Sequence, residues 1–127
     1  MLAECGGLLY LCADLDGRPM CGVLPARARM GARLTLGYRE AVAQTEHAVW
    51  PGGLAVRGHE FHMSTVDPPA GAAPAWSLRA RGTERPEGHV LGGVHASYLH
   101  THWAATPQVA ARLVARAAAH AIPAVTA

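Results

Sequence analysis

The opening run MLAECGGLLYL sets a cysteine behind a short apolar stretch and directly before two glycines and a leucine-rich segment. That order restricts local geometry more than any other part of the chain. Residues 1–4 read as the end of a strand. From Gly6 the pattern turns helical, with Leu8, Leu11, Cys12 and Leu15 at i, i+3, i+4 and i+7. A strand ending at Cys5 and a helix opening on Gly6-Gly7 force a sharp bend at the sulfur. Glycine tolerates a strained backbone there and lets a substrate come close. A helix N-terminus favours the thiolate, and its free N–H groups can face a developing oxyanion. A buried structural thiol is the competing reading, because free cysteines are commonly buried. Cys12 and Cys21 lack this context and read as structural.

Beyond the bend, Asp16-Gly17-Arg18-Pro19 predicts a turn, and Met20 to Leu24 a short buried strand closed by Pro25. RLTLGYREAV alternates, with Leu34, Leu36 and Tyr38 on one face and Thr35 and Arg39 on the other. WPGG at 50–53 is a turn. LAVRGHEFHMS has strand periodicity, placing Glu60 and His62 on one face and His59 and Phe61 on the other. Residues 67–75 read as a loop, Trp76 to Arg81 as a strand, and RGTERPEGHVLGG as a second loop. VHASYLHTHW resumes a β-like run. Thr106-Pro107 then predicts a helix start, with Val109, Leu113 and Ala117 on its packed face and an end near Pro123.

At 127 residues the chain is the size of one domain, and neither an internal repeat nor an interdomain linker is visible. Half the residues are hydrophobic and 16% charged, which fits a folded globular protein, although the many alanines imply a thin core. The eleven basic residues are all arginine, scattered along the chain, and the net charge is +2. No basic stripe suggests nucleic acid. An odd cysteine count without a CxxC pair favours a reducing cytoplasm. The apolar start lacks a basic flank and carries Glu4 and Asp14, unlike a secretory leader. No apolar run reaches the roughly 18 residues of a membrane helix.

Eight histidines is a high number, and six lie between His59 and His102. A cysteine nucleophile needs a proton acceptor and donor, most often imidazole. YLHTHW offers His100 and His102, on one face if the run is a strand, just before a helix. Zinc is the competing use, with His95, His100 and His102, or His59 and His62, as ligands, but these spacings match no strong metal pattern. For His47, His89 and His120 surface or capping roles are expected.

Taken together, AECGGLLYL, LGYREA, RGHEFHMS and ASYLHTHW, in this order and at these separations, closely resemble the cobyrinic acid a,c-diamide synthase family. These are glutamine-dependent enzymes of vitamin B12 biosynthesis, and the hydrogenobyrinic acid a,c-diamide synthases of the aerobic pathway look the same here. The resemblance implies an α/β, flavodoxin-like class I glutamine amidotransferase domain with a carbon–nitrogen ligase activity. Cys5 matches the family nucleophile, His100 the histidine that activates it, with His102 as runner-up, and the Gly6 N–H an oxyanion donor. No third triad member is marked, and no catalytic step is implied for Glu60 or His62. The resemblance also implies glutamine and a corrinoid precursor, cobyrinate or hydrogenobyrinate, as substrates. ATP and Mg²⁺ would be bound outside this chain, because no GxxxxGK[ST] run is present. Residues 1–127 are expected to be the C-terminal portion of the amidotransferase domain, incomplete at its N-terminal side, with the ATP-binding domain absent. Such a piece is expected to be inactive as a synthase by itself. A non-catalytic binding or assembly module that complements a partner chain is the alternative, and a histidine-cluster metal protein a further one.

Overall fold

The computed structural model describes residues 1–120. Strand β1 (Leu2–Glu4) turns at Cys5 into helix α1 (Gly6–Leu11), as the opening motif predicts. The helix closes earlier than its apolar spacing suggests. Leu15 belongs instead to β2 (Asp14–Leu15), which folds back on β3 (Arg18–Pro19). Asp16 and Gly17 between them both adopt positive φ, 52° and 76°, the geometry of a tight two-residue hairpin turn. The predicted strand from Met20 to Leu24 does not form. That segment is irregular and directs its N–H groups to carbonyls near the C-terminal end of α1, with Cys21 donating to Tyr10 and Leu24 to Leu11.

Two long strands dominate the rest. β4 (Arg27–Ala43) and β5 (Ala55–Asp67) pair antiparallel from Arg27 opposite Asp67 to Val42 opposite Ala55, with one irregularity between Met30 and Thr35. Both extend beyond the runs that alternation marks out. The stretch expected to be a loop at 81–93 is instead mostly strand. β6 (Trp76–Ala80) and β7 (Thr83–Glu87) form one hairpin, β8 (His89–Leu91) and β9 (Val94–Ser97) another. Their turns, Arg81-Gly82 and Gly92-Gly93, have positive φ at both central residues, so the glycines that suggest a loop are hairpin corners.

β1 runs parallel to β9, and β9 pairs with β8, giving a three-stranded sheet beside α1. The larger sheet has the order β10-β5-β4-β2-β3, where β10 is His100–Thr101, and β6 and β7 add to the far end of β4. Mixed sheets with helices place the chain in the α/β class, as expected. A 3-10 turn at Trp103–Ala105 leads into α2 (Pro107–Ala119). Proline stands at the first helical position as predicted, but the Thr106 hydroxyl makes no capping bond. Of the predicted packed face only Val109 is buried; Leu113 and Ala117 are exposed. Arg112 ties the helix down instead, bonding Glu46 and the carbonyls of His47 and Ala48. The expected stop at Pro123 lies outside the described residues.

The core forms two clusters. One gathers Leu8 and Leu11 of α1, and Cys12 just beyond it, with Leu24, Val66 and Tyr98. The other lies under the sheet around Trp50 and Trp76, whose rings meet edge-to-face at 5.1 Å. Alanines at 3, 26, 28, 41, 43, 75 and 96 fill much of the remainder, so the core is thin where composition predicts it. The two tryptophans and the aliphatic side chains supply most of its apolar area.

Candidate active site

Cys5 sits at the bend itself. Its backbone has φ 49° and ψ −103°, and its N–H donates to the Ser97 carbonyl at 2.8 Å while its own carbonyl accepts from Leu9 at 3.2 Å. A non-glycine residue is strained in such a conformation, which persists only where the surroundings impose it. Here they do so from both sides, through β9 and through α1. The thiol is half-buried, with Sγ 3.8 Å from the Phe61 carbonyl oxygen of β5. Next to it, Gly6 faces open space, with no neighbouring atom within 4 Å of where a Cβ would stand.

One expectation is reversed. The helix N-terminus does not leave Cys5 ready ionised. Burial pushes the thiol above its ordinary value, the Gly6 N–H pulls it part of the way back, and the Glu4 charge adds to the rise. A helix of six residues carries little dipole to oppose this. Cys12 matches its structural reading, buried and donating to the Leu8 carbonyl at 3.3 Å. Cys21 is exposed, and all three thiols are free.

His100 is brought to the same strand from the other end of the chain. It pairs with His59 of β5, and the two rings stack at 4.9 Å. The Cys5 contact at Phe61 lies two positions further along β5, roughly 7 Å of strand. Gly58 makes this docking possible: a Cβ there would stand 2.3 Å from the His100 carbonyl oxygen and 2.9 Å from the Leu99 side chain. His102 has left the strand; it caps the 3-10 turn and is exposed.

Sequence reasoning missed Glu4 as a partner for the histidine. Its Oε2 is 3.8 Å from His100 Nδ1, while its Oε1 accepts from the Thr101 hydroxyl at 2.8 Å and from the Thr101 N–H at 3.3 Å. The residue that precedes the sulfur thus also holds the strand that carries the imidazole. The available signal was Glu4 at the end of an otherwise apolar strand, where a carboxylate needs a reason to be.

Glu60 and His62 have a structural part. Glu60 is fully buried and accepts from Arg39 at 2.6 Å and Arg85 at 2.7 Å, with His62 at 3.5 Å, joining β4, β5 and β7. Its burial alone would raise the carboxyl, but His62, Arg85 and Arg39 together hold it down at about 2. His62 stacks on Tyr98 at 3.6 Å, and the Tyr98 hydroxyl bonds Ser64. A second buried carboxylate, Glu87, accepts from the Ser97 hydroxyl and the Tyr98 N–H, fixing the chain between β9 and β10. Burial raises Glu87 to about 7 against the pull of those two bonds.

The remaining histidines disperse. His95 is buried against His47, Trp50 and Trp76, so it is far from forming a ligand set with His100 and His102. His59 and His62 point to opposite faces of β5, as alternation predicts, and so cannot share a metal. Among the described residues no group of three or more His, Cys, Asp or Glu is gathered to hold an ion. His47 and His89 are buried rather than at the surface, while His120 caps the end of α2 as expected. His47 accepts from the Val49 N–H through Nδ1 and so donates through Nε2 to the Gly93 carbonyl. His100 and His102 both open onto a cleft of about 1000 Å³ between β4, β5, the β6–β7 turn and the 3-10 turn; Cys5 is not among its lining residues. No helix among the described residues is long and apolar enough to cross a membrane.

Comparison with known proteins finds relatives over most of the chain. A hydrogenobyrinate a,c-diamide synthase of Streptomyces coelicolor is 65% identical over 114 residues, which cover 90% of this chain and 23% of that protein. A hydrogenobyrinate a,c-diamide synthase of Mycobacterium tuberculosis is 51% identical over 117 residues, covering 91% of this chain and 26% of its own. A cobyrinate a,c-diamide synthase of Gloeobacter violaceus is 44% identical over 121 residues, with 91% and 26% covered. The chain therefore spans about a quarter of the length of the curated relatives it matches. The model of the CobB/CobQ-like glutamine amidotransferase domain matches residues 1–108, and the chain belongs to that family.

Proposed function

We propose that this chain carries the glutamine-hydrolysing site of an ATP-dependent amidotransferase that amidates the a and c acetate carboxylates of hydrogenobyrinate or cobyrinate. The reading rests on Cys5, a non-glycine residue held at φ 49° and ψ −103° beside open space at Gly6. That combination presents a sulfur to an incoming carbonyl. The relatives' names supply the acceptor, and the free thiols suit a reducing cytoplasm.

Because burial keeps the thiol protonated, the reaction begins with a proton transfer. His100 takes the Cys5 proton as Sγ bonds to the side-chain amide carbon of glutamine. The Gly6 N–H, already directed at the sulfur, donates to the oxyanion; one such donor is worth about 2.7–4 kcal/mol. As the C–N bond breaks, His100 returns the proton to the departing ammonia. Water then attacks the thioester, His100 accepts its proton, and the C–S bond breaks to give glutamate and the thiol. Glu4 and Thr101 orient the imidazole throughout. The chain has no phosphate loop, and its described residues gather no ligand set for Mg²⁺, so they do not fit ATP and no step passes through it here. ATP, Mg²⁺ and the activation of the acceptor belong to a region outside these residues.

The purified chain is expected to release glutamate from glutamine slowly, to lose that activity entirely as Cys5→Ala, and to form no diamide alone. His100→Asn is expected to abolish it and His102→Asn to leave most of it. Glutamate release unaffected by Cys5→Ala would overturn the reading.

A further inference from the structure

Between Glu87 and His100 the chain passes twice from one sheet to the other. β7 ends in the larger sheet at Glu87 and β8 opens in the smaller one at His89, with Gly88 alone between them. β9 ends in the smaller sheet at Ser97 and β10 opens in the larger one at His100, with Tyr98 and Leu99 between them. The two crossings lie against each other. Gly88 has φ 76°, and a Cβ there would stand 2.6 Å from the Ala96 carbonyl oxygen and 3.3 Å from the Ser97 Cβ.

A chain that changes sheets gives up ladder hydrogen bonds. Tyr98 and Leu99 are buried and belong to no strand, so their N–H groups need partners from elsewhere. Side chains supply both. Glu87 Oε1 accepts from the Tyr98 N–H at 2.8 Å, and Ser97 Oγ accepts from the Leu99 N–H at 2.9 Å. The Ser97 hydroxyl in turn donates to Glu87 Oε2 at 2.6 Å, so one carboxylate holds the whole crossing. Both carboxylate oxygens accept, whereas an amide accepts at only one of its two ends.

Stability does not account for a charge at this place. Glu87 is 1% exposed, and among the described residues no cationic group pairs with it within 4 Å. Arg85 of the same strand is bonded to Glu60 instead. A buried carboxylate without a cation weakens a fold. Its effect is felt at Ser97, which touches both halves of the proposed site. The Ser97 carbonyl accepts the Cys5 N–H at 2.8 Å, while its hydroxyl holds the residue before His100. Cys5 follows a strand of the smaller sheet and His100 lies in the larger one, so the join between the sheets sets their separation.

We propose that Glu87, acting through Ser97, is a positioning residue that locks this crossing and so fixes Cys5 relative to His100. The proposal rests on the reading of those two as the glutamine-hydrolysing pair.

Two variants and a control of the purified chain are compared at pH 8, above the value of about 7 at which Glu87 ionises. Ser97→Ala removes the hydroxyl. Glu87→Gln keeps the shape and the bond to Tyr98 but cannot also accept from Ser97. Ser64→Ala removes another buried hydroxyl bonded to Tyr98, through the phenol and off this path. Hydrogen–deuterium exchange is followed on peptides covering residues 1–9, 97–103 and 76–80. In Ser97→Ala the first two should exchange roughly ten-fold faster or more, and the third as in the parent. The kcat for glutamate release should fall about ten-fold or more with KM little changed, less in Glu87→Gln and hardly at all in Ser64→Ala. Should Ser97→Ala not fold, Glu87→Gln decides alone, by faster exchange at the same two peptides. Parent-like exchange and kcat in the folded variants overturn the proposal. So does exchange that rises equally at 76–80, or an equal loss of kcat in Ser64→Ala, since either marks a general loosening. Exchange needs no turnover. Selective loosening in a chain whose glutamate release survives Cys5→Ala would leave the locked crossing standing and sink the glutaminase reading instead.

Discussion

Glu4 pulls in two directions at the proposed pair of Cys5 and His100. It holds Thr101 and stands 3.8 Å from His100 Nδ1, yet its charge also helps to raise the Cys5 thiol after burial has done most of that work. Glu4→Gln should therefore split two readouts that normally move together. Alkylation of Cys5 by iodoacetamide at a fixed pH near 8, followed on the Cys5 peptide by mass spectrometry, should become faster as the thiolate fraction rises. The kcat for glutamate release should fall about ten-fold or more, with KM little changed, because the imidazole loses its anchor. Faster alkylation with undiminished kcat would remove Glu4 from any positioning role. Gly6 offers a cleaner steric test. Alanine meets no neighbour there and suits a helix start, so Gly6→Ala should leave the urea midpoint unchanged or slightly raised. Glutamate release should drop sharply, since the methyl group fills the approach to the sulfur.

At the scale of elements, the site depends on a two-residue strand. β10 reaches β5 only because Gly58 has no side chain, and a methyl group there collides with backbone rather than with a side chain that can swing away. Gly58→Ala should destabilise the chain by about 1–3 kcal/mol in urea unfolding and release β10, with His100, from its place. An unchanged midpoint together with unchanged activity would contradict that docking. None of this is visible in YLHTHW, which alternates like a longer strand; only a distant partner decides that it breaks at Tyr98-Leu99. The bend at Cys5 is legible because its causes are local: strand, cysteine, glycine pair, helix. The hairpins at 81–93 escape a sequence reading because glycine signals a corner without saying whether strands flank it. The end of α1 escapes it because Leu15 continues a helical spacing that the Asp16-Gly17 turn overrides. Glu4 and Gly58 both act through residues far away in sequence, beyond the reach of spacing.

The whole molecule carries an acid sensitivity in its buried imidazoles. Burial lowers His47, His89 and His95, the last to about 3, so each is neutral in the fold and takes up a proton on unfolding. Between pH 6.5 and their folded values the unfolded chain binds more protons, and stability falls as pH falls. Glu87 opposes them: raised to about 7, it keeps its proton in the fold and contributes stability that is lost as pH rises from about 4.5 to 7. Glu60 acts the other way, contributing stability above pH 4.5 that disappears towards 2. From pH 7 to 4.5 the loss at the imidazoles and the gain at Glu87 work against each other, whereas below pH 4.5 His95 and Glu60 lose stability together. Urea midpoints should therefore change little between pH 7 and 4.5 and fall steeply below that. A profile without that break would mean that these groups are not buried as described. The central claim, that Cys5 is the nucleophile towards glutamine, is tested most directly by covalent capture. The chain is incubated with 6-diazo-5-oxo-L-norleucine, a glutamine analogue that alkylates the attacking thiol, and each cysteine peptide is weighed. The expected result is one adduct, on Cys5, prevented by excess glutamine and by His100→Asn. An unmodified Cys5 peptide, or labelling that glutamine does not suppress and that falls equally on exposed Cys21, would contradict it.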